Sequence, residues 1–193
     1  MHAGLIAGII GLVLLGIFFW RLEKKTFSSY QLALTAAIAA LAATSRVAFA
    51  PFPNITPSTF ITMITGYTWG IQAGFVVGAL SGLISNFFLG QGPWTLWQMV
   101  AWGLCGALAG MAGKMSSGFN RPVFTLLCFA GGYLFGLLMN LWHWLAFVYP
   151  LNIKTFLSIY AAGFPFDTMH AAGNAVFAFL LGPPFYKILL RYK

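Results

Sequence analysis

Apolar residues run along this chain in long blocks, and short polar or proline–glycine breaks between the blocks set the list of elements. Residues 3–20 form an uninterrupted apolar run followed by Arg21, Glu23, Lys24 and Lys25. The run has no basic leader and no small-residue cleavage site, so it predicts a retained membrane helix and not a secretory signal. A second, alanine-rich block covers residues 28–50 and ends at Pro51-Phe52-Pro53-Asn54. Residues 58–68 are apolar but short for a full crossing, which predicts a tilted or partial span joined tightly to the next. Pro57 just ahead of them suits a helix start. Residues 70–89, 95–113 and 123–148 predict three more spans. Residues 149–163 predict an external loop, in part helical. A last span follows over residues 164–190, interrupted late by Pro183-Pro184. The expected fold is an all-α membrane bundle of seven spans with no internal repeat.

Composition strengthens this picture. The 193 residues are 60% apolar and only 6% charged, against about 25% charged in soluble domains. The net charge of +8 comes from ten basic residues scattered at helix ends, where they set orientation and do not form a nucleic-acid surface. With the first loop cytoplasmic, Arg21, Lys24, Lys25, Lys114, Arg121, Lys187, Arg191 and Lys193 fall inside, and Arg46 and Lys154 outside. This predicts a multi-pass plasma-membrane protein with its N-terminus outside and its C-terminus in the cytoplasm. Cys105 and Cys128 lie within apolar runs, without metal-ligand spacing, and read as buried small hydrophobes.

The break at Gly90-Gln91-Gly92-Pro93 is the most distinctive stretch. Around it stand Trp94, Trp97 and Trp102, Phe87 and Phe88, and the amides Asn86, Gln91 and Gln98, with no charge among them. Aromatic faces and amides without ions fit the mouth of a binding pocket. An interfacial tryptophan belt is the alternative. With the outer orientation, this turn, the Asn54 loop and the 149–163 loop share one face. Ionisable groups within spans are costly and are usually paired or functional. Here these are Arg46, His143, Asp167 and His170. His170 and Asn174 share a helix face, as ligand contacts or as interhelical hydrogen bonds. Asn140 and His143 stand near the outer end of their span. Asp167, just after Pro165-Phe166, reads either as a helix-start residue favoured by the N-terminal dipole or as a binding group.

Enzyme readings are thin. His170 and Asn174 match half of an intramembrane metalloprotease motif, but the single glutamate, Glu23, sits in a basic loop. A Ser81–His170 protease pair is a minor alternative. No phosphate-binding loop is present, so the chain has no ATPase motif of its own. The alanines of the second block recur at four-residue spacing: Ala33/Ala37, Ala36/Ala40 and Ala39/Ala43. They form a flat face that packs closely on another helix, inside the bundle or on a partner.

Three features together resemble one family. They are the alanine-spaced early helix, the run from Arg46 to Gly110, and PFDTMHAAGN from Pro165 to Asn174. The chain resembles the substrate-binding S component of an energy-coupling factor (ECF) vitamin transporter, and NFFLGQGPW is most similar to the cobalamin-type branch. The resemblance implies a six-helix core over residues 28–193 plus an extra transmembrane helix and basic loop over residues 1–27. It implies a vitamin as the bound molecule, cobalamin first and riboflavin second, captured outside and released inside by toppling of the subunit. It implies a transmembrane coupling subunit docked on Ala33, Ala37 and Ala40, and two cytoplasmic ATPases. No metal or cofactor of its own is expected. The substrate contacts expected are Asn54, Asn86, Gln91, Trp94, Trp97, Gln98, Trp102, Asn140, His143, Asp167, His170 and Asn174.

Overall fold

The computed structural model describes residues 28–193 and, ahead of them, residues 8, 9, 11–13 and 15–17. Most of the expected span over residues 3–20, and the basic loop with Arg21, Glu23, Lys24 and Lys25, lie outside the described residues. Those that are described between 8 and 17 are helical, and Leu15 is buried against Phe75, Ala79, Met99, Val100 and Ala107.

Six further helices follow: α1 Ser29–Ala48, α2 Ser58–Trp69, α3 Ile71–Leu89, α4 Trp94–Met115, α5 Arg121–Phe147 and α6 Ile153–Leu190. The described residues contain no strand. Five of the six, all but α2, are long and apolar enough to cross a membrane. Local chemistry accounts for the boundaries. Ser28 and Gln31 form a reciprocal capping box at the start of α1, which satisfies backbone N–H groups that have no partner in the first turn. Asn120 caps α5 through the Val123 amide. Between α2 and α3 a single residue, Gly70, turns the chain at φ +99°, a conformation open to glycine without a Cβ clash.

The expected tilted span is instead the centre of the bundle. Every residue of α2 from Ser58 to Thr68 is buried, and α2 packs against all five other helices. Its approach to α3 and α4 depends on glycine. A Cβ at Gly66 on α2 would collide with the Gly106 carbonyl on α4, one at Gly74 on α3 with Gly106 and Gly66, and one at Gly106 with the Gly74 backbone. Three glycines from three helices therefore meet at one point. Gly78 extends the contact to the Trp102 backbone, and Gly113 lies against that of Tyr67. Lipid supplies no hydrophobic drive between helices, so close backbone contact and its dispersion energy hold this centre together.

The last helix departs from expectation. α6 is continuous from Ile153, capped by Asn152 and Thr155, so most of the expected 149–163 loop is helix. At 38 residues it is roughly 57 Å long, well beyond the ~30 Å hydrocarbon thickness. It runs through Pro165, Pro183 and Pro184 without ending. Pro183 has no N–H to give the Phe179 carbonyl. Arg121 Nε donates to that carbonyl at 2.7 Å instead, and its guanidinium lies over the Phe179 ring. A neighbouring helix thus supplies the hydrogen bond that proline removed.

Cys105 and Cys128 are free and buried. The alanine face of α1 divides. Ala39, Ala42 and Ala43 are buried in the bundle, while Ala33, Ala36, Ala37 and Ala40 are exposed on the opposite side.

The glycine centre makes a testable demand. Gly106→Val should destabilise the chain by about 1–3 kcal/mol through overpacking, read as a lowered thermal midpoint of the purified protein in detergent. Gly118→Ala, where an added Cβ meets nothing within 4 Å, should leave the midpoint unchanged. Equal midpoints for both variants would contradict the tight crossing.

Candidate functional site

One end of the bundle gathers the α1–α2 loop, the α3–α4 turn and the α5–α6 loop, and most of the polar side chains inside the protein lie near it. Two connected arrangements occupy this end: a hydrogen-bonded chain in the interior, and a cavity beside it.

The chain starts at α4. Trp102 Nε1 donates to Thr59 Oγ1 at 2.8 Å. Thr59 Oγ1 lies 3.0 Å from His170 Nε2, and His170 Nδ1 lies 2.9 Å from the Asn54 carbonyl. A carbonyl only accepts, so Nδ1 carries the proton and donates to it. Nε2 is then the acceptor of a neutral ring, and the Thr59 hydroxyl donates to it. Every group in this chain is satisfied in one direction of donation. Asn54 itself adopts φ +55°, in the left-handed region where asparagine is enriched. Its amide donates to the Phe166 carbonyl at 2.7 Å. The loop between α1 and α2 is therefore tied to α6 by both its backbone and its side chain.

A second branch involves Arg46. Its Nη1 donates to Ser85 Oγ and Asn86 Oδ1, both at 2.6 Å, and its guanidinium stands 4.9 Å from the Trp102 ring centroid. Asn86 Nδ2 donates onward to Thr95 Oγ1 and Gln98 Oε1, and Thr95 donates to Gln91 Oε1. One hydroxyl, one amide and an aromatic face thus meet the cation directly, an arrangement that offsets the desolvation of a charge.

The cavity has a volume of about 430 Å³ and is lined by Pro53, Asn54, Gln98, Phe135, Gly136, Met139, Asn140, Gly163, Phe166 and Asp167. Asn140 Nδ2 donates to Asp167 Oδ2 at 2.7 Å. Phe135 stacks on Trp102 at 4.5 Å and presents itself to the cavity from that support. A volume of this size, with convergent polar groups on an apolar wall, lies in the range of small-molecule sites. A smaller cavity, about 290 Å³, lies on the other side of Asn54 and includes Arg46, Phe49 and Phe52.

Of the twelve residues expected to touch substrate, Asn54, Gln98, Asn140 and Asp167 line the larger cavity. Asn86, Trp102 and His170 are buried and spend their polar atoms on the interior network. Gln91 tightens the α3–α4 turn, bonding the Leu83 carbonyl and Thr95. Trp97 is buried in a separate cluster with Trp142, against whose ring the Trp94 ring stands edge-on. None of the three tryptophans is among the residues lining the cavity. His143 is exposed and packs on Phe147, away from the others. Asn174 is fully buried with neither amide atom partnered. The Ser81–His170 pair is not formed: Ser81 Oγ donates to the Gly78 carbonyl, and both His170 nitrogens are engaged elsewhere. Among the described residues no three His, Cys, Asp or Glu side chains gather as a metal site. Sequence reasoning did not find Thr59, Phe135, Gly136 or Gly163. Each is an ordinary residue within an apolar block, with no local signal to distinguish it.

A family model matches residues 25–190, described as a family of unknown function, DUF6580. No curated protein and no solved structure matches the chain.

The directed chain through Thr59 predicts a specific loss. Thr59→Val keeps the shape but leaves Trp102 Nε1 and His170 Nε2 buried without partners, at about 1–3 kcal/mol for each group. Denaturation of the purified variant should show this loss. Thr44→Val removes an exposed hydroxyl bonded only to its own helix and should change stability by less than about 0.5 kcal/mol. A Thr59→Val protein as stable as Thr44→Val would mean that the chain does not hold.

Proposed function

We propose that this chain, which belongs to the DUF6580 family, is the solute-binding membrane subunit of an ECF-type importer. The observation that carries this reading is the open cavity of about 430 Å³ lined by Asn54, Gln98, Asn140 and Asp167 together with Phe135 and Phe166. It offers amides, one carboxylate and aromatic faces at one end of the bundle. Nothing in it resembles an assembled nucleophile and base.

The arrangement of charge supports the orientation. Lys114, Arg121, Lys187, Arg191 and Lys193 lie at the end opposite the cavity, while the cavity end carries Arg46 and Lys154. By the positive-inside rule the cavity then opens outward and the C-terminus is cytoplasmic, in the plasma membrane. The segment before Ser28 would add one span ahead of a six-helix core formed by α1 to α6, with the N-terminus outside.

The exposed alanines support a docking role. Residues facing outward elsewhere are bulky, among them Phe87, Phe88, Leu126, Phe164, Phe179 and Leu180. On α1 the outward face instead carries four alanines, Ala33, Ala36, Ala37 and Ala40, flanked by Tyr30, Leu32 and Leu41. Such a face lets another helix approach its backbone closely. In this reading it receives the transmembrane coupling subunit, and two cytoplasmic ATPases supply the energy through that subunit. In this reading the bound molecule is a vitamin, cobalamin first and riboflavin second, held at a cavity that opens to the surface.

The binding reading is tested by purifying the full chain from cells grown in rich medium and extracting it for mass spectrometry. One small molecule at close to one per chain is expected. Its complete absence would defeat the solute-binding assignment. The docking reading is tested by Ala37→Trp. Uptake of the extracted molecule by cells should fall to background, while the purified variant retains the wild-type thermal midpoint and ligand content, because Ala37 is exposed on the outside of α1. Uptake that persists would remove the alanine face from the coupling interface.

A further inference from the structure

The carboxylate of Asp167 has no role in building the helix that carries it. The sequence offers a helix-start explanation for an acid after Pro165-Phe166, but α6 begins at Ile153. Asp167 stands about four turns in, where the helix dipole no longer favours it. An acid within an apolar bundle is costly unless paired, and such residues usually face a partner or a polar space. Among the described residues Asp167 is the only acid, and its hydrogen-bond partner is the neutral amide of Asn140. No lysine or arginine lines the cavity. Arg46, a nearby half-buried cation, is committed to Ser85, Asn86 and the face of Trp102 and borders the neighbouring cavity instead.

Space around the carboxylate has been cleared on both sides. A Cβ at Gly136 on α5 would strike the Asp167 carboxyl group, and one at Gly163 on α6 would strike the Asn140 amide. Both glycines line the cavity. The Asn140–Asp167 pair thus rests in a cradle of two glycines on the cavity wall, with the Phe135 and Phe166 rings and the Gln98 and Asn54 amides around the same space.

We infer that the molecule held in this cavity carries a positive charge, as a protonated amine or a cationic nitrogen ring, seated on Asp167. This rests on the solute-binding reading and narrows it to one chemical class. The cation supplies the counter-charge that the described residues lack. The aromatic rings favour a cation over their faces, and the amides accept from its N–H groups or bond its neutral part. An anionic molecule would meet the carboxylate with no compensating charge on the cavity wall. Removing the carboxylate should weaken binding roughly ten- to hundredfold, the loss of one charge-assisted contact.

The experiment uses the full chain purified from cells grown in rich medium, with the extracted small molecule passed over cation-exchange resin at neutral pH. The wild-type extract should be retained on the resin and should run as a cation in mass spectrometry. Asp167→Asn, which preserves size and can still bond Asn140, should elute as a folded protein with its ligand content largely lost on washing. A stoichiometric extract that flows through the resin overturns the charge assignment while leaving the solute-binding reading intact, and this readout needs no variant. Full ligand content in Asp167→Asn overturns it as well. A wild-type chain that returns no small molecule overturns both readings together.

Discussion

The meeting of Gly66, Gly74 and Gly106 governs this structure. With no side chain at these three positions, α2, α3 and α4 touch backbone to backbone. That contact lets a helix too short to cross a membrane sit at the centre of five that are long enough. Its central place has a chemical consequence. Ser58, Thr59, Thr62, Thr65 and Thr68 are all buried with it; a buried hydroxyl favours a partner inside the protein, and of these only that of Thr62 has none. Thr65 and Thr68 bond carbonyls of their own helix. Thr59 reaches across to α4 and α6 and becomes the link between Trp102 and His170. The glycine crossing thus determines where the interior polar chain runs.

That chain and the cavity divide the polar residues into two sets with different work. Arg46, Asn86, Thr59, Trp102 and His170 bond one another and tie five of the helices together. Each spends polar atoms on these internal bonds, which makes them supports more than contacts for a visitor. Asn54, Gln98, Asn140 and Asp167 stand at the boundary between this framework and open space. Phe135 belongs to both, stacked on Trp102 and exposed to the cavity. A site placed on a satisfied, rigid framework holds its groups in position before anything binds, which reduces the ordering cost of association.

The two ends of the bundle also differ in what they must do. At the end opposite the cavity, Tyr67, Phe119, Phe124 and Tyr186 form an aromatic cluster, Tyr67 donates to the Gly118 carbonyl and Trp69 to the Leu189 carbonyl. These contacts tie the α4–α5 loop and the last turn of α6 to the central helix, beside an open cleft of about 690 Å³ lined by residues 115–122. The cavity end differs in kind: there Asp167 and the amides of Asn54, Gln98 and Asn140 meet the Phe135 and Phe166 rings around one space.

The sequence alone determined that the chain is helical, apolar along most of its length and broken near residues 51–57, 70, 90–93 and 116–120. These follow from local rules: long apolar runs favour helix in an apolar solvent, while glycine and proline interrupt it through φ and the missing donor. Even so, local rules misjudged α6, because Pro165 and Pro183 end a helix only where no neighbour relieves them, and Arg121 does so at Phe179. Which face of each helix turns inward was decided only by packing. One alanine repeat in α1 is split between core and exterior. The three tryptophans near one turn are divided between a satellite cluster and the polar chain, and two amides five residues apart, Gln91 and Asn86, serve a turn and a half-buried cation. In a chain that is apolar all round its helices, the polar–apolar alternation that marks a buried face in a soluble protein is absent. The inward direction is set instead by the few places where backbones can touch, and those become visible only when the helices are brought together.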